Sequence, residues 1–467
     1  MAVTRDDAVA GRPDLVLIMT DQQRFDQVGY ASGGHFETPN LDALAARGVI
    51  FDTAYSASTV CVPARTALLT GIQPHRLPTQ ENRYALREGF WTVAHELRHA
   101  GYETALIGKA HFAPVHAQHG FETMRLCEHL GSQALGPLSK ARGDEVDDYH
   151  HWLVERGIGD SRLDGTRPSR RFPHAADVHP TAWVEREAAS FLAGRDRRRP
   201  LFLVISFPHP HAPYDPPEPY ASMYDPADSV LPHDGYEVNE KLPMVFQLAT
   251  GGSKTRDEAR DPRALRSFLA IVRGLVKQID DSVGRLVPQL PLAETIVFFT
   301  SDHGDYAGHR GLMRKNPWIP FEHLVRVPFF VAGRGIAGGR RVPALVQSCD
   351  LPLTCLDYAG ISPPRGVEFD TRSLRPILDG DPAGDDLKRA VFSATTMTWP
   401  MIRRGRYKYI DHAIRRQPAL FDLDDDPYES VNRVDDGAYL EVGNELAARL
   451  HEVMSRPVLD VAAPPPP

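Results

Sequence analysis

Cys61 stands in the stretch "STVCVPARTALLTG", with Pro63 two residues on and Arg65 two beyond that. "PARTALLTG" reads as a helix with Pro63 in its first turn and Gly71 as its stop. Cys61 is then expected at a helix N-terminus, where free N–H groups and the helix dipole favour an anion, with Arg65 one turn inside to brace it. A cysteine taken alone reads equally as a small buried hydrophobe.

Its company is Asp21, Asp302 and His303, each at the end of an apolar run. Two carboxylates and an imidazole suit one divalent cation with positions left for substrate and nucleophile. The plainer reading is an aspartate that caps the next helix, and a turn at "SDHGD". A third group is cationic and titratable: Lys109, His111, His211 and Lys315, all in loops that follow the same elements. Singly such residues are solvated or hydrogen-bonded. Gathered with Arg65 around one cation, they would hold a compact oxyanion of high charge density.

These residues converge only if the elements before them lie side by side. "DLVLIMTD" (14–21) is a continuous apolar run, the mark of a strand buried on both faces. "ETALIGKAHF" is a short strand entering the Lys109–His111 loop. "RPLFLVISF" (199–207) runs into "PHPHAPYDPP", "ETIVFFTSDHGD" (294–305) into a polar loop, and "RVPFFVAG" adds a strand. Helical stretches alternate with them, at "TPNLDALAARG" and over 264–287 among others. The pattern predicts an α/β fold: a large, mostly parallel sheet flanked by helices, with ligands at the carboxyl ends of the strands. Past 385 the texture changes to short strands, a tight turn and a closing helix, "YLEVGNELAARLHEVMS", which predicts a smaller C-terminal antiparallel sheet plus helix. Expected divisions are a catalytic domain over 12–385, a subdomain over 386–457 and a disordered tail over 458–467. The polar, irregular stretches 131–180 and 208–262 read as functional loops or insertions.

The chain has 467 residues, 42% of them hydrophobic, and a net charge of −8, which argues against nucleic acid or an anionic membrane as partner. Cys61, Cys127, Cys349 and Cys355 lack zinc-site spacing. Free thiols are expected, with a Cys349–Cys355 disulfide as the alternative. "MAVTRDDAVAGRPD" has no secretory apolar run and no later stretch is long enough to span a membrane, so the expected location is the cytoplasm.

"CVPAR" matches the C-x-P-x-R signature of the sulfatases, and the chain resembles that formylglycine-dependent family of the alkaline phosphatase superfamily along nearly its whole length. "LVLIMTDQQR", "TPNLDALAARGVIFDTAY", "AGYETALIGKAHF", "SDHGDYAGHRGLMRK" and "ALFDLDDDPYESVNRV" follow in the family's order. The resemblance fades in 131–178 and 220–260. It implies an alkaline phosphatase/sulfatase-like fold and hydrolysis of a small aryl, alkyl or sugar sulfate to inorganic sulfate.

By the same resemblance, a formylglycine-generating enzyme oxidises Cys61 to formylglycine (3-oxoalanine) during maturation. One hydroxyl of the aldehyde hydrate attacks sulfur, and deprotonation of the other expels sulfate, so no stable ester is left behind. Asp21, Gln22, Asp302 and His303 resemble the ligands of one divalent cation, joined by residue 61. Calcium is expected, with manganese or magnesium as alternatives. Arg65 resembles the arginine that holds the hydrate, and Lys109 and Lys315 the lysines on the sulfate oxygens. His111 resembles the histidine that takes the diol's proton, and Asn82 a substrate-side asparagine. In "PHPHAPY" the family's Pro-His-x-Pro falls on His211, the candidate acid for the leaving alkoxide, with His209 as competitor.

Three positions depart from the pattern. Gln22 replaces an aspartate of many relatives, which removes one negative charge and moves preference away from calcium. His303 stands where some relatives have asparagine, a change in the same direction. "DTRSL" replaces the usual Asp-Gly-x-Ser-Leu. The nearest rival activity is a phosphonate monoester or phosphodiester hydrolase with the same nucleophile; such relatives tend to lack the lysine found at Lys109. A two-metal phosphatase or mutase would need a second carboxylate/histidine cluster and a serine or threonine nucleophile, and neither is legible. A non-catalytic binding protein would not need the full candidate set.

Overall fold

The computed structural model describes residues 11–82, 84, 86–128, 147–158, 171–253, 256–381, 389–395 and 398–463. Eight strands form one sheet: β1 (Asp14–Asp21), β2 (Gly48–Tyr55), β3 (Glu103–Gly108), β4 (Thr123–Leu126), β5 (Leu201–Pro210), β6 (Thr295–Ser301), β7 (Phe329–Gly333) and β8 (Arg340–Gln347). Their order is β4-β3-β5-β1-β6-β7-β2-β8. Every neighbouring pair is parallel except those made by β7, which runs against both β6 and β2. This is the mostly parallel sheet expected from the sequence. β2, β4 and β8, on or near the edges, have no continuous apolar run that sets them apart from their surroundings in the sequence.

β1 shows why a continuous apolar run means a central strand. Leu15, Leu17 and Met19 enter one hydrophobic core and Val16 and Ile18 the other, on opposite faces of the sheet. The first core takes the helices Cys61–Thr70, Val93–His99 and Leu351–Ala359. The second takes Pro39–Ala45, Pro180–Gly194 and the long helix Pro262–Leu286, which begins two residues before the expected 264 because the Asp261 carboxylate caps Arg263 N–H at 2.9 Å.

Beyond the main sheet, β9 (Ala390–Thr395), β10 (Trp399–Arg404), β11 (Tyr407–Ile410) and β12 (Ala419–Asp422) form a four-stranded antiparallel sheet. One face packs Ile402, Tyr409 and Leu420 against Leu446 and Leu450 of the helix Leu440–Met454. The other packs Val391, Met401, Ile410 and Phe421 on Tyr55, Phe321 and Leu324 of the main domain. Lys408 is buried in that joint between Glu322 (2.9 Å) and Glu429 (2.8 Å). The expected boundary at 385/386 lies outside the described residues.

The tail expected to be loose from 458 is held through 463. Leu459 N–H donates to Arg76 O (2.8 Å), Trp91 N–H to Val461 O (2.8 Å) and Ala463 N–H to Gly89 O (2.7 Å), while Val461 joins the first core. The composition of the stretch hid this, because one buried valine and edge pairing hold it; 464–467 lie outside the described residues. Much of 131–180 also lies outside them, and its described part contains the helix Asp148–Glu155. All four cysteines are buried free thiols, so the Cys349–Cys355 disulfide does not form. No helix among the described residues is long and apolar enough to cross a membrane.

Candidate active site

Four adjacent parallel strands, in the order β3-β5-β1-β6, end on the same edge of the sheet. Asp21 closes β1, Asp302 and His303 follow β6, Lys109 follows β3 and His211 follows β5. Gly108 makes the Lys109 turn feasible: its φ is +104°, and a Cβ there would lie 1.9 Å from Ser206 O. Lys109 N–H then donates to that carbonyl at 2.9 Å.

The chain returns from β2 through a loop in which the Ser56 hydroxyl bonds the Asp302 carbonyl. The helix opens at Cys61 and ends at Gly71, whose left-handed φ of +66° lets its N–H cap Ala67 O at 2.8 Å. Its first turn faces the strand ends. Cys61 Sγ lies 2.8 Å from Lys315 Nζ, 3.2 Å from His303 Nε2 and 3.9 Å from Asp21 Oδ1.

Arg65 ties the floor of the pocket together. Its Nε donates to Asp302 Oδ2 (2.9 Å), Nη2 to Asp21 Oδ2 (3.1 Å), and Nη1 to Lys109 O (2.7 Å) and Ser206 Oγ (2.9 Å). Lys109 Nζ pairs with Asp21 Oδ2 at 2.6 Å. Burial opposes the Asp21 carboxylate, but Lys109, His211, Arg65 and Lys315 outweigh it and hold its pKa well below the usual range. Burial and Asp21 likewise oppose the Cys61 thiolate, yet Lys315, His303 and Lys109 hold the thiol well below its ordinary value. At His211 burial wins: its pKa is pushed down to about 3. His211 Nδ1 contacts Ala212 O at 2.7 Å, which as a donor leaves Nε2 bearing the lone pair.

Ligand atoms of Asp21, Cys61, Asp302 and His303 all lie within 4.8 Å of one another. His303 Nδ1 bonds Gly304 O at 2.9 Å, which leaves Nε2 as the coordinating atom. Burial opposes the His303 imidazolium, but Asp302 raises its pKa, so the pocket attracts positive charge at that position. Gln22 Nε2 donates to Asp305 Oδ2 and to Tyr214 OH (3.0 Å), and its side chain has only Oε1 left for a cation. The donor set fits a divalent cation.

Not every expected residue joins this group. Asn82 stands at the rim, where its Oδ1 accepts Val62 N–H at 2.9 Å and so satisfies the first turn of the Cys61 helix. His111 has a left-handed φ of +62°, and its Nδ1 is buried without a hydrogen-bond partner; no hydrogen bond joins its ring to Cys61. His209 points elsewhere: it stacks on His179 (4.4 Å between centroids) and bonds Thr181 Oγ1 at 3.1 Å. Of the two competing histidines, His211 is the one whose charge interacts with that of Asp21.

Sequence reasoning missed Ser206, which holds Arg65, and Glu128, whose carboxylate accepts the N–H groups of Ala110 (2.9 Å) and His111 (2.9 Å). A polar Ser206 within an apolar strand was a usable signal; Glu128 offered none. It also missed two further carboxylate/histidine clusters, His179–His209–Asp215 and Asp234–His309–His323, because their members come from separate segments.

A family model described as Sulfatase matches residues 13–361, and one described as N-sulphoglucosamine sulphohydrolase, C-terminal, matches 310–456. The chain belongs to the sulfatase family. An arylsulfatase of Clostridium perfringens (strain 13 / Type A) is 32% identical to this sulfatase over 92% of each chain. A choline-sulfatase of Rhizobium meliloti (strain 1021) is 31% identical, over 90% of this chain and 82% of its own. The fold is shared with a phosphonate monoester hydrolase of Agrobacterium radiobacter, with a TM-score of 0.80 and 24% identity over 95% of each chain. The protein is a sulfuric ester hydrolase.

Proposed function

We propose that the protein hydrolyses a small sulfate ester, aryl, alkyl or sugar, with residue 61 as nucleophile after a formylglycine-generating enzyme has oxidised Cys61. The supporting observation is the burial of Cys61 within 4.8 Å of Asp21, Asp302 and His303, directly under Lys315. In this reading Asp21, Asp302, His303 and Gln22 Oε1 would hold a calcium ion, and the ion would supply Lewis-acid polarisation. Formylglycine supplies an aldehyde hydrate, a nucleophile with its own release step.

The chain's own side chains do the rest. Lys315 and Lys109 flank residue 61 and the carboxylates, and they neutralise charge on the sulfate oxygens as it develops. Arg65 holds Asp21 and Asp302 in register through its two ion pairs. Burial holds the His211 pKa down to about 3 in the free pocket; as general acid it would take a proton from solvent when the entering sulfate anion offsets that burial, and donate it from Nε2 to the leaving oxygen. His111 is assigned to the proton of the hydrate, and Asn82 to the substrate side of the rim.

The test is parallel kinetics on 4-nitrophenyl sulfate and a bis-aryl phosphate diester, with protein co-expressed with a formylglycine-generating enzyme. Mass spectrometry of the residue 61 peptide accompanies it. The reading expects kcat/KM higher for the sulfate and a mass change at residue 61. A preference for the diester overturns the substrate class, and activity with an intact thiol overturns the nucleophile.

A further inference from the structure

We propose that Asp234, His309 and His323 form a second metal site, built for zinc or a similar first-row transition cation and separate from the Cys61 cluster. Three distant segments supply them: the connection before Tyr236–Lys241, the loop after β6, and the helix Glu322–Val325. All three residues are buried, and one candidate ligand atom from each lies within 4.8 Å of the others. His309 Nδ1 meets one oxygen of the Asp234 carboxylate, and His323 Nε2 stands 3.9 Å from the other. The two imidazoles pack at 4.2 Å between centroids, inclined by 32°.

Hydrogen bonding does not account for His323. Its Nδ1 is buried with no partner, and its Nε2 is beyond hydrogen-bond reach of Asp234. A buried ring nitrogen left in this state is costly. A cation at this point would take Nε2, the ring nitrogen that stands 3.9 Å from Asp234 Oδ2, and two imidazoles with one carboxylate are a donor set that selects zinc over calcium or magnesium. Among the described residues, the Asp234 carboxylate is contacted by His309 and by the Arg310 N–H, which donates to its Oδ2 at 3.1 Å. The nearby Arg24 guanidinium is paired with Asp26, so its charge is locally balanced.

His309 and His323 also line a cavity of about 370 Å³. Arg24, His233 and Tyr428 share its wall, and none of Asp21, Cys61, Asp302 or His303 does. The cavity offers a route for the cation and room for water or an exchangeable ligand in a fourth position, as three-ligand zinc sites require. A bound ion would pin the 208–262 connection to the β6 loop, since Asp234 and His309 are 75 residues apart. Metal binding of this kind stabilises the native chain. The site does not depend on the reaction proposed above.

The test uses the whole protein, chelator-treated, returned to excess calcium and given two equivalents of zinc. Anomalous diffraction at the zinc edge should show a peak among Asp234, His309 and His323. Competition against a chromophoric chelator should show zinc affinity reduced at least about 100-fold in His323→Ala. Zinc should raise the melting temperature of the native chain and not that of the variant. Zinc found only among Asp21, Asp302 and His303, no bound zinc, or equal affinity in the variant overturns the proposal. If His323→Ala does not fold, His323→Gln replaces it, and the diffraction experiment on the native chain decides by itself.

Discussion

Lys315 Nζ lies 2.8 Å from Cys61 Sγ across a separation of 254 residues. The same ammonium is 3.2 Å from His303 Nε2, so one cationic side chain touches both the candidate nucleophile and a candidate metal ligand. Lys315→Ala should reduce kcat/KM for an aryl sulfate by about 10²–10³, as loss of one preorganised donor to a developing charge does. Steady-state kinetics beside Lys241→Ala, at an exposed position, checks this; equal losses would remove Lys315 from the pocket's chemistry.

Cys61→Ala should abolish turnover and leave the fold intact. The site sits at the edge of a sheet whose two cores are elsewhere, and Cys61 begins its helix rather than packing inside it. Circular dichroism and activity on the same sample read both halves. Measurable turnover above about a thousandth of the native rate would contradict the nucleophile assignment.

Arg65→Ala should fail differently. Its guanidinium is buried against two buried carboxylates, and among the described residues removing it leaves only Lys109 beside Asp21 and His303, at 3.8 Å, beside Asp302 within ion-pair distance. Loss of one member of a buried ionic group costs about 3–5 kcal/mol. Urea unfolding should show that loss of stability as well as loss of activity, and an unchanged midpoint would sink the argument.

Removal of divalent cations should silence the enzyme reversibly. Chelation followed by dialysis should cut activity at least about 100-fold, with calcium restoring it and manganese restoring part. Full activity in a chelator would mean that the Asp21–Asp302–His303 group holds no required ion.

Acid should destabilise the chain through its buried histidines. Burial pushes His75, His95 and His119 down to about 4. The unfolded chain, with imidazoles near 6.5, takes up protons that the native state refuses, so stability is full above about pH 6.5 and falls as pH drops toward 4. His75 and His119 should each contribute on the order of 1–3 kcal/mol across that window. Neither ring nitrogen of His119 has a hydrogen-bond partner, so His119→Gln should flatten the dependence. Urea midpoints at pH 7.5, 5.5 and 4.5 measure it; identical midpoints would refute the prediction.

Much of this was legible because it is local. A continuous apolar run such as 14–21 has one stable home, the middle of a parallel sheet, and the polar residue that ends it must emerge at the carboxyl edge. The C-x-P-x-R stretch and Gly71 define a helix start and stop within eleven residues, 61 to 71. Asp21, Cys61, Lys109, Asp302 and Lys315 could therefore be named before their distances were known. Between His209 and His211 the motif match favoured His211, but the local pattern left His209 as a competitor. The two are two residues apart with similar surroundings in the chain, and only the end of β5 turns one toward Thr181 and the other toward Asp21.

By itself, then, the sequence determined the central strands β1, β3, β5 and β6, the helix that opens at Cys61 and the residue types available at those strand ends, since these depend on propensity and periodicity over a few positions. The tertiary structure alone decided that β3, β5, β1 and β6 lie adjacent, that Ser206 and Glu128 support the pocket, and that Asp234 meets His309 and His323. Those contacts are set by how sheet and helices pack over tens to hundreds of residues, and no local pattern encodes such a meeting.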